Sequence, residues 1–181
     1  EGLFAAVASI PVILCFIGNK SRGALDNASG VASVLLAAEM LSPGVNVGVL
    51  ITSAEELGLA GARAFAATGR EKGIAINCDT IDDSGVFICM TRGVMSPSTA
   101  QAVDSAARRV AIRMRRRGMI PGILADNVAF TDAGWESFTV SRGNPGTLAR
   151  VHTSRDTAAN MKGTGLATAA RLMAATVEEL S

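Results

Sequence analysis

The chain has 181 residues, 49% of them apolar, with 17 Lys and Arg against 16 Asp and Glu. That length suits one domain burying a single core, and so apolar a composition excludes a disordered chain. A net charge of +1 provides no basic field for a nucleic-acid partner.

Leu3 to Ile17 is an almost unbroken apolar run, interrupted by Ser9 and Pro11 and followed by Gly18-Asn19-Lys20-Ser21-Arg22. A membrane span needs roughly 20 such residues, so the run reads either as the end of a membrane segment or as a strand or helix of the core. No basic region precedes it and no small-residue cleavage site follows it, which argues against a signal peptide. On the membrane reading, association runs through residues 3–17, and Lys20 and Arg22 place the following domain on the cytoplasmic side. On the core reading the protein is soluble and cytoplasmic. Residues 1–18 are therefore set apart from an α/β domain over 19–181. Cys15, Cys78 and Cys89 lie in apolar stretches, are odd in number and lack CxxC spacing, so they are expected as reduced thiols in a reducing compartment.

Val31, Val34, Leu35 and Ala38 recur at helical spacing and predict a helix from near Asn27 to Leu41, ended by Ser42-Pro43-Gly44. The β-branched alternation of Val45 to Thr52 predicts a buried strand. Leu57 to Thr68 reads as a helix closed by Gly69, Ile74–Cys78 and Val86–Met90 as short strands, and Ser98–Arg117 as a long amphipathic helix. Phe138–Ser141 is a further expected strand and Ala158–Leu180 a final helix. The basic run Arg108-Arg109, Arg113 and Arg115-Arg116-Arg117 then sits at a helix C-terminus, as a solvated face favoured by the helix dipole or as a surface attracted to anionic lipid. Alternating strands and helices predict a three-layer αβα domain with a mainly parallel mixed β-sheet. In such sheets ligands collect outside the carboxyl ends of the strands.

Several acidic residues fall at those ends or in loops that precede helices. Glu55 and Glu56 follow the strand at Val45–Thr52, Asp79 follows Ile74–Cys78, and Asp26 and the single histidine, His152, precede helices. A hydrolytic metal centre needs anionic or imidazole ligands, an open position for water and a base for its proton. Adjacent glutamates on an irregular turn can divide the work, one binding metal and the other meeting water. Asp26, Glu56 and His152 then make one site with Glu55 as base, and Asp79 supports a second ion bridged by Asp26. Taken singly, each residue has a plainer role. Asp26 could be an N-cap, the glutamates first-turn partners of a helix dipole, Asp79 an Asx turn, His152 a surface imidazole, and Asp156 the cap of the last helix. For Asp26, the glutamate pair, Asp79 and His152, four unrelated roles in this chain order are less economical than one site.

Gly23-Ala24-Leu25-Asp26-Asn27-Ala28-Ser29-Gly30, the stretch Thr52-Ser53-Ala54-Glu55-Glu56-Leu57-Gly58-Leu59-Ala60-Gly61-Ala62-Arg63, Asn77-Cys78-Asp79, and His152-Thr153 with Asp156-Thr157 together resemble the M28 family of zinc aminopeptidases. The resemblance runs from about Arg22 to the C-terminus and implies a zinc-exopeptidase-like fold. It implies Asp26 as bridging ligand, Glu55 as general base, Glu56 and His152 as ligands of one zinc and Asp79 as ligand of another. The expected substrate is a peptide with a free N-terminus. Asp126 matches a family segment in which histidine usually follows, and Asn127 stands there instead. Trp135 and Phe138 either shape a side-chain pocket or are core aromatics.

The family also carries an earlier histidine ligand, and Val12 to Lys20 contains none. Either that ligand lies in an earlier stretch, beyond an inserted membrane segment, or the chain lacks it. As written, the residues complete one zinc site better than two, with peptidase activity weak or absent. The resemblance leaves two further readings, a mononuclear glutaminyl cyclase-like enzyme and a non-catalytic interaction domain. Retention of the paired glutamates speaks against the last.

Overall fold

The computed structural model describes residues 20–69, 72–120 and 122–181, so the run Leu3–Ile17 lies outside the described residues. Helix α1 spans Ser29–Met40 and α2 spans Ala60–Ala66, followed by strands β1 (Ile74–Ile81) and β2 (Val86–Thr91). Next come α3 (Pro97–Arg109), β3 (Met114–Gly118), α4 (Asn127–Asp132), β4 (Glu136–Gly143), α5 (Pro145–Leu148) and α6 (Thr164–Leu180). The sheet order is β1-β4-β2-β3, with β1 parallel to β4, β2 parallel to β3, and β2 antiparallel to β4. It is thus the mixed, mainly parallel sheet of an αβα domain.

One face of the sheet carries the main core. Cys78, Phe87, Cys89, Phe138 and Val140 meet Val103 and Ala106 of α3 and Ala169, Leu172 and Met173 of α6. Small residues set the seam between α1 and α6, where the Ser33 hydroxyl, fully buried, donates to the Ser29 carbonyl at 2.8 Å. The other face carries a smaller cluster in which Leu59, Ala62, Val128 and Phe130 pack with Phe65 and Trp135. The Phe130 and Trp135 rings meet edge to face with centroids 5.4 Å apart, the arrangement the aromatic quadrupole favours. Trp135 and Phe138 are therefore core aromatics, Phe138 at 1% exposure. Cys78 and Cys89 are free and buried.

Three elements differ from the sequence reading. Val45–Thr52 forms no strand and joins no ladder among the described residues, and Val47, Val49, Leu50 and Ile51 are exposed. Alternation favours an extended chain, yet a strand needs a hydrogen-bonded neighbour. The expected helix Ser98–Arg117 ends at Arg109. Ile112 N–H donates to the Ala107 carbonyl and Ala111 N–H to that of Arg108, both at 3.0 Å, with Ala111 in the left-handed region at φ 54. This is a Schellman closure, and Met114–Gly118 then pairs with β2 as an edge strand. Arg108 and Arg109 do sit in a last helical turn, whereas Arg115, Arg116 and Arg117 arm an exposed sheet edge, where charge discourages pairing with another chain.

The final helix begins at Thr164 rather than Ala158, because Gly163 (φ 80) turns the chain just before it. Asp83, not Asp156, satisfies that helix start, accepting from Gly165 N–H at 2.9 Å and the Thr164 hydroxyl at 2.9 Å. Among the described residues no helix is long and apolar enough to cross a membrane.

Candidate metal centre

The Gly23–Gly30 loop turns sharply into α1. Asn27, rather than Asp26, satisfies the helix start: its Oδ1 accepts from Gly30 N–H at 3.0 Å and from Thr80 N–H at 3.2 Å, while its Nδ2 donates to the Cys78 carbonyl at 3.0 Å. One side chain therefore ties the Asp26 loop to the end of β1 beside Asp79. Gly30 is required there, since a Cβ would lie 2.2 Å from the Cys78 carbonyl oxygen.

Glu55 and Glu56 stand on a single 3-10 turn, Glu55–Leu57, between Ala54 and Gly58, both left-handed. Gly61 N–H donates to the Ser53 carbonyl at 3.1 Å, an approach a Cβ would block at 2.3 Å. Of the two glutamates on this turn, Glu56 joins Asp26 and His152 in one group of donor atoms and Glu55 does not. His152 has φ 60 and sits in a compact turn after α5.

The Nε2 of His152 lies 2.9 Å from Asp26 Oδ2 and 2.8 Å from Glu56 Oε1. Ligand atoms of Asp26, Glu56 and His152 all fall within 4.8 Å of one another, the one such group among the described residues. Two carboxylate oxygens and an imidazole nitrogen form a donor set suited to a divalent transition ion such as zinc. A single imidazole N–H cannot align with both oxygens at once, whereas a cation at their meeting point engages all three donors. The Glu56 and His152 side chains are 65% and 41% exposed, so the group opens to solvent and leaves room for water and substrate. Asp79 lies outside this group of three.

The surrounding electrostatics are strongly negative. Burial, reinforced by the charges of Asp79, Glu56 and Asp26, pushes the Glu55 carboxyl from 4.5 up to about 8. Burial and the Asp26 charge push Asp79 from 3.8 up to about 7. Asp26 is also raised, burial outweighing the nearby His152. Groups that interact this way respond strongly to a cation.

Asp126 belongs to the same environment, its charge acting on both Glu55 and Asp79. Thr52 donates to its Oδ2, and its buried Oδ1 has no hydrogen-bond partner. Asn127 is fully buried and its Oδ1 accepts from the Thr139 hydroxyl at 2.8 Å. The sequence flagged Asp126 only by family pattern; its contact with Thr52 joins residues 74 apart, and no local spacing reveals it.

No curated protein matches the chain. Among solved structures, a zinc aminopeptidase from Bacillus subtilis is 24% identical with a TM-score of 0.75, over 90% of this chain and 43% of that one. An aminopeptidase from Aneurinibacillus sp. strain AM-1 is 24% identical with a TM-score of 0.70, over 88% and 40%. A glutaminyl cyclase from Bacteroides thetaiotaomicron, bound to N-acetylhistamine, is 17% identical with a TM-score of 0.64, over 87% and 63%. The chain thus spans about two fifths of the length of the two aminopeptidase structures, which share its fold. Residues 9–177 match peptidase family M28, and with that match extending over nearly the whole sequence the chain belongs to this family.

Proposed function

We propose that this chain carries the catalytic domain of a zinc-dependent metallo-aminopeptidase that hydrolyses N-terminal peptide bonds. The observation that carries the reading is the convergence of Asp26, Glu56 and His152 on one point, with Glu55 on the adjoining turn. Asp26, Glu56 and His152 would hold zinc, which when bound supplies Lewis acidity to polarise a carbonyl and acidify water. Glu55 accepts a proton from the attacking water at its carboxylate and returns it to the leaving amine. Asp26, Asp79 and Asp126 make the surroundings anionic and so attract the substrate's free α-ammonium group, the basis of exopeptidase selectivity. Because one three-ligand group is present among the described residues, one zinc is held better than two, and turnover by this chain is weak.

That mononuclear group also favours a second reading, a glutaminyl cyclase-like enzyme. Metal analysis after zinc loading tests the first step. One zinc per chain, lost in Glu56→Ala, supports the centre; the same zinc content in both proteins overturns it. Release of an amino acid from a peptide then supports the peptidase, and cyclisation of an N-terminal glutamine the cyclase.

A further inference from the structure

Asp156 is 1% exposed, and among the described residues no basic side chain pairs with it. Its Oδ1 accepts from Leu25 N–H at 2.5 Å, and its Oδ2 from Asp26 N–H at 3.3 Å and the Ser21 hydroxyl at 3.2 Å. A buried carboxylate is costly unless its lone pairs are used, and here all three donors come from the loop that bears Asp26. Leu25 is held from its other side too, its carbonyl accepting from the Ser29 hydroxyl at 2.6 Å.

Asp156 also closes the turn that bears His152. Its N–H donates to the Thr153 carbonyl at 3.1 Å, while Thr153 N–H and hydroxyl both reach the Arg150 carbonyl, at 3.1 and 2.6 Å. Arg155 N–H returns to the Thr153 hydroxyl at 3.2 Å. The segment 150–156 is thus a self-bonded unit with His152 near one end and Asp156 at the other.

We infer that Asp156 is a positioning residue for the metal centre, fixing the Asp26 loop against the His152 turn and so setting the separation of two ligands distant in sequence. This inference rests on the metal reading above. Asp156 stands outside the three-ligand group and acts through Asp26, whose N–H it holds. Groups that orient ligands in this way typically alter metal affinity by about 10- to 100-fold.

The test compares the full chain with Asp156→Asn and Asp156→Glu. Zinc affinity is measured by competition with a chelator, the visible absorption of the cobalt(II) forms reports ligand geometry, and far-UV circular dichroism reports the fold. The Asn variant is expected to keep the fold, bind zinc about 10- to 100-fold more weakly and show an altered cobalt spectrum. The Glu variant, its carboxylate displaced by one methylene, is expected to fall between.

Wild-type affinity and an unchanged cobalt spectrum in Asp156→Asn overturn the inference and leave the metal reading standing. If Asp156→Asn does not fold, Asp156→Glu decides: wild-type behaviour in both readouts overturns the inference, and weakened zinc binding with a shifted spectrum supports it. A wild-type chain that takes up no zinc overturns the metal reading, and this inference with it.

Discussion

The side-chain amide of Asn27 donates to the Cys78 carbonyl at 3.0 Å, joining the Asp26 loop to the strand that delivers Asp79. The other end of the same side chain receives Gly30 and Thr80 N–H groups. Asn27→Ala leaves those partners in a half-buried site with nothing to replace them. Each unsatisfied group costs about 1–3 kcal/mol, so a loss of at least that size is expected by urea denaturation. Zinc uptake should fall as well, because Asp26 adjoins the lost anchor. A variant with wild-type stability would show that water replaces the amide without penalty.

Glu55 and Glu56 should separate cleanly by substitution. Glu55→Gln keeps the size of the side chain and removes its basicity, so zinc content stays at the wild-type level while turnover falls about 10²- to 10⁴-fold. Glu56→Ala removes a ligand and should abolish zinc retention. Metal analysis beside single-turnover peptide cleavage reads both effects. Loss of zinc from the Glu55 variant alone would reverse the assignment.

The metal-free protein should lose stability as pH rises from about 4 to 8. Glu55 and Asp79, pushed up to about 8 and about 7, keep their protons in the folded chain at pH values where the unfolded chain has lost them. The folded state then binds more protons, so stability falls with pH. Their contribution is whole below the ordinary values of 4.5 and 3.8 and is lost through the raised ones. Asp83 works in the opposite sense. Burial would raise it, but hydrogen bonds from Gly165, Lys162 and Thr164 hold it down at about 2, so its contribution is present above 3.8 and is lost as pH falls towards 2.

Thermal melts in chelator should therefore peak at about pH 4–5 and decline towards pH 8, where added zinc restores stability by favouring the ionised carboxylates. A melting temperature that climbs from pH 5 to 8 in chelator would contradict the half-buried, protonated pair.

The candidate ligands were legible because each sits in a short segment with its own local grammar. The Gly-Ala-Leu-Asp-Asn turn needs its glycine and asparagine, and the Glu55-Glu56 turn needs Gly58 and Gly61. Asp156 was flagged only by the family pattern and as a possible helix cap; its hold on the Asp26 loop was not legible, because its donors lie 130 to 135 residues away in sequence. Val45–Thr52 shows the converse failure, since β-branched alternation describes one strand while a ladder requires two. Strand β3 was hidden because Met and Arg are good helix formers, and pairing with β2 overrides that preference.

The end of α3 was hidden for a related reason, and it yields a stability prediction. Helix C-termini of this type usually place glycine in the left-handed position, but here Ala111 occupies it at φ 54. A non-glycine residue costs roughly 1–2 kcal/mol in that conformation, while glycine adds about 0.4–1 kcal/mol of chain entropy to the unfolded state. The first effect is the larger, and the exposed Ala111 methyl contributes little packing to offset it. Ala111→Gly should therefore stabilise the protein by about 0.5–1 kcal/mol, visible as a rise in Tm of about 1–4 °C in a domain of this size. A lower Tm would mean that α3 does not end in the left-handed turn and that Ala111 is helical, as the periodicity of Ser98 to Arg117 suggests.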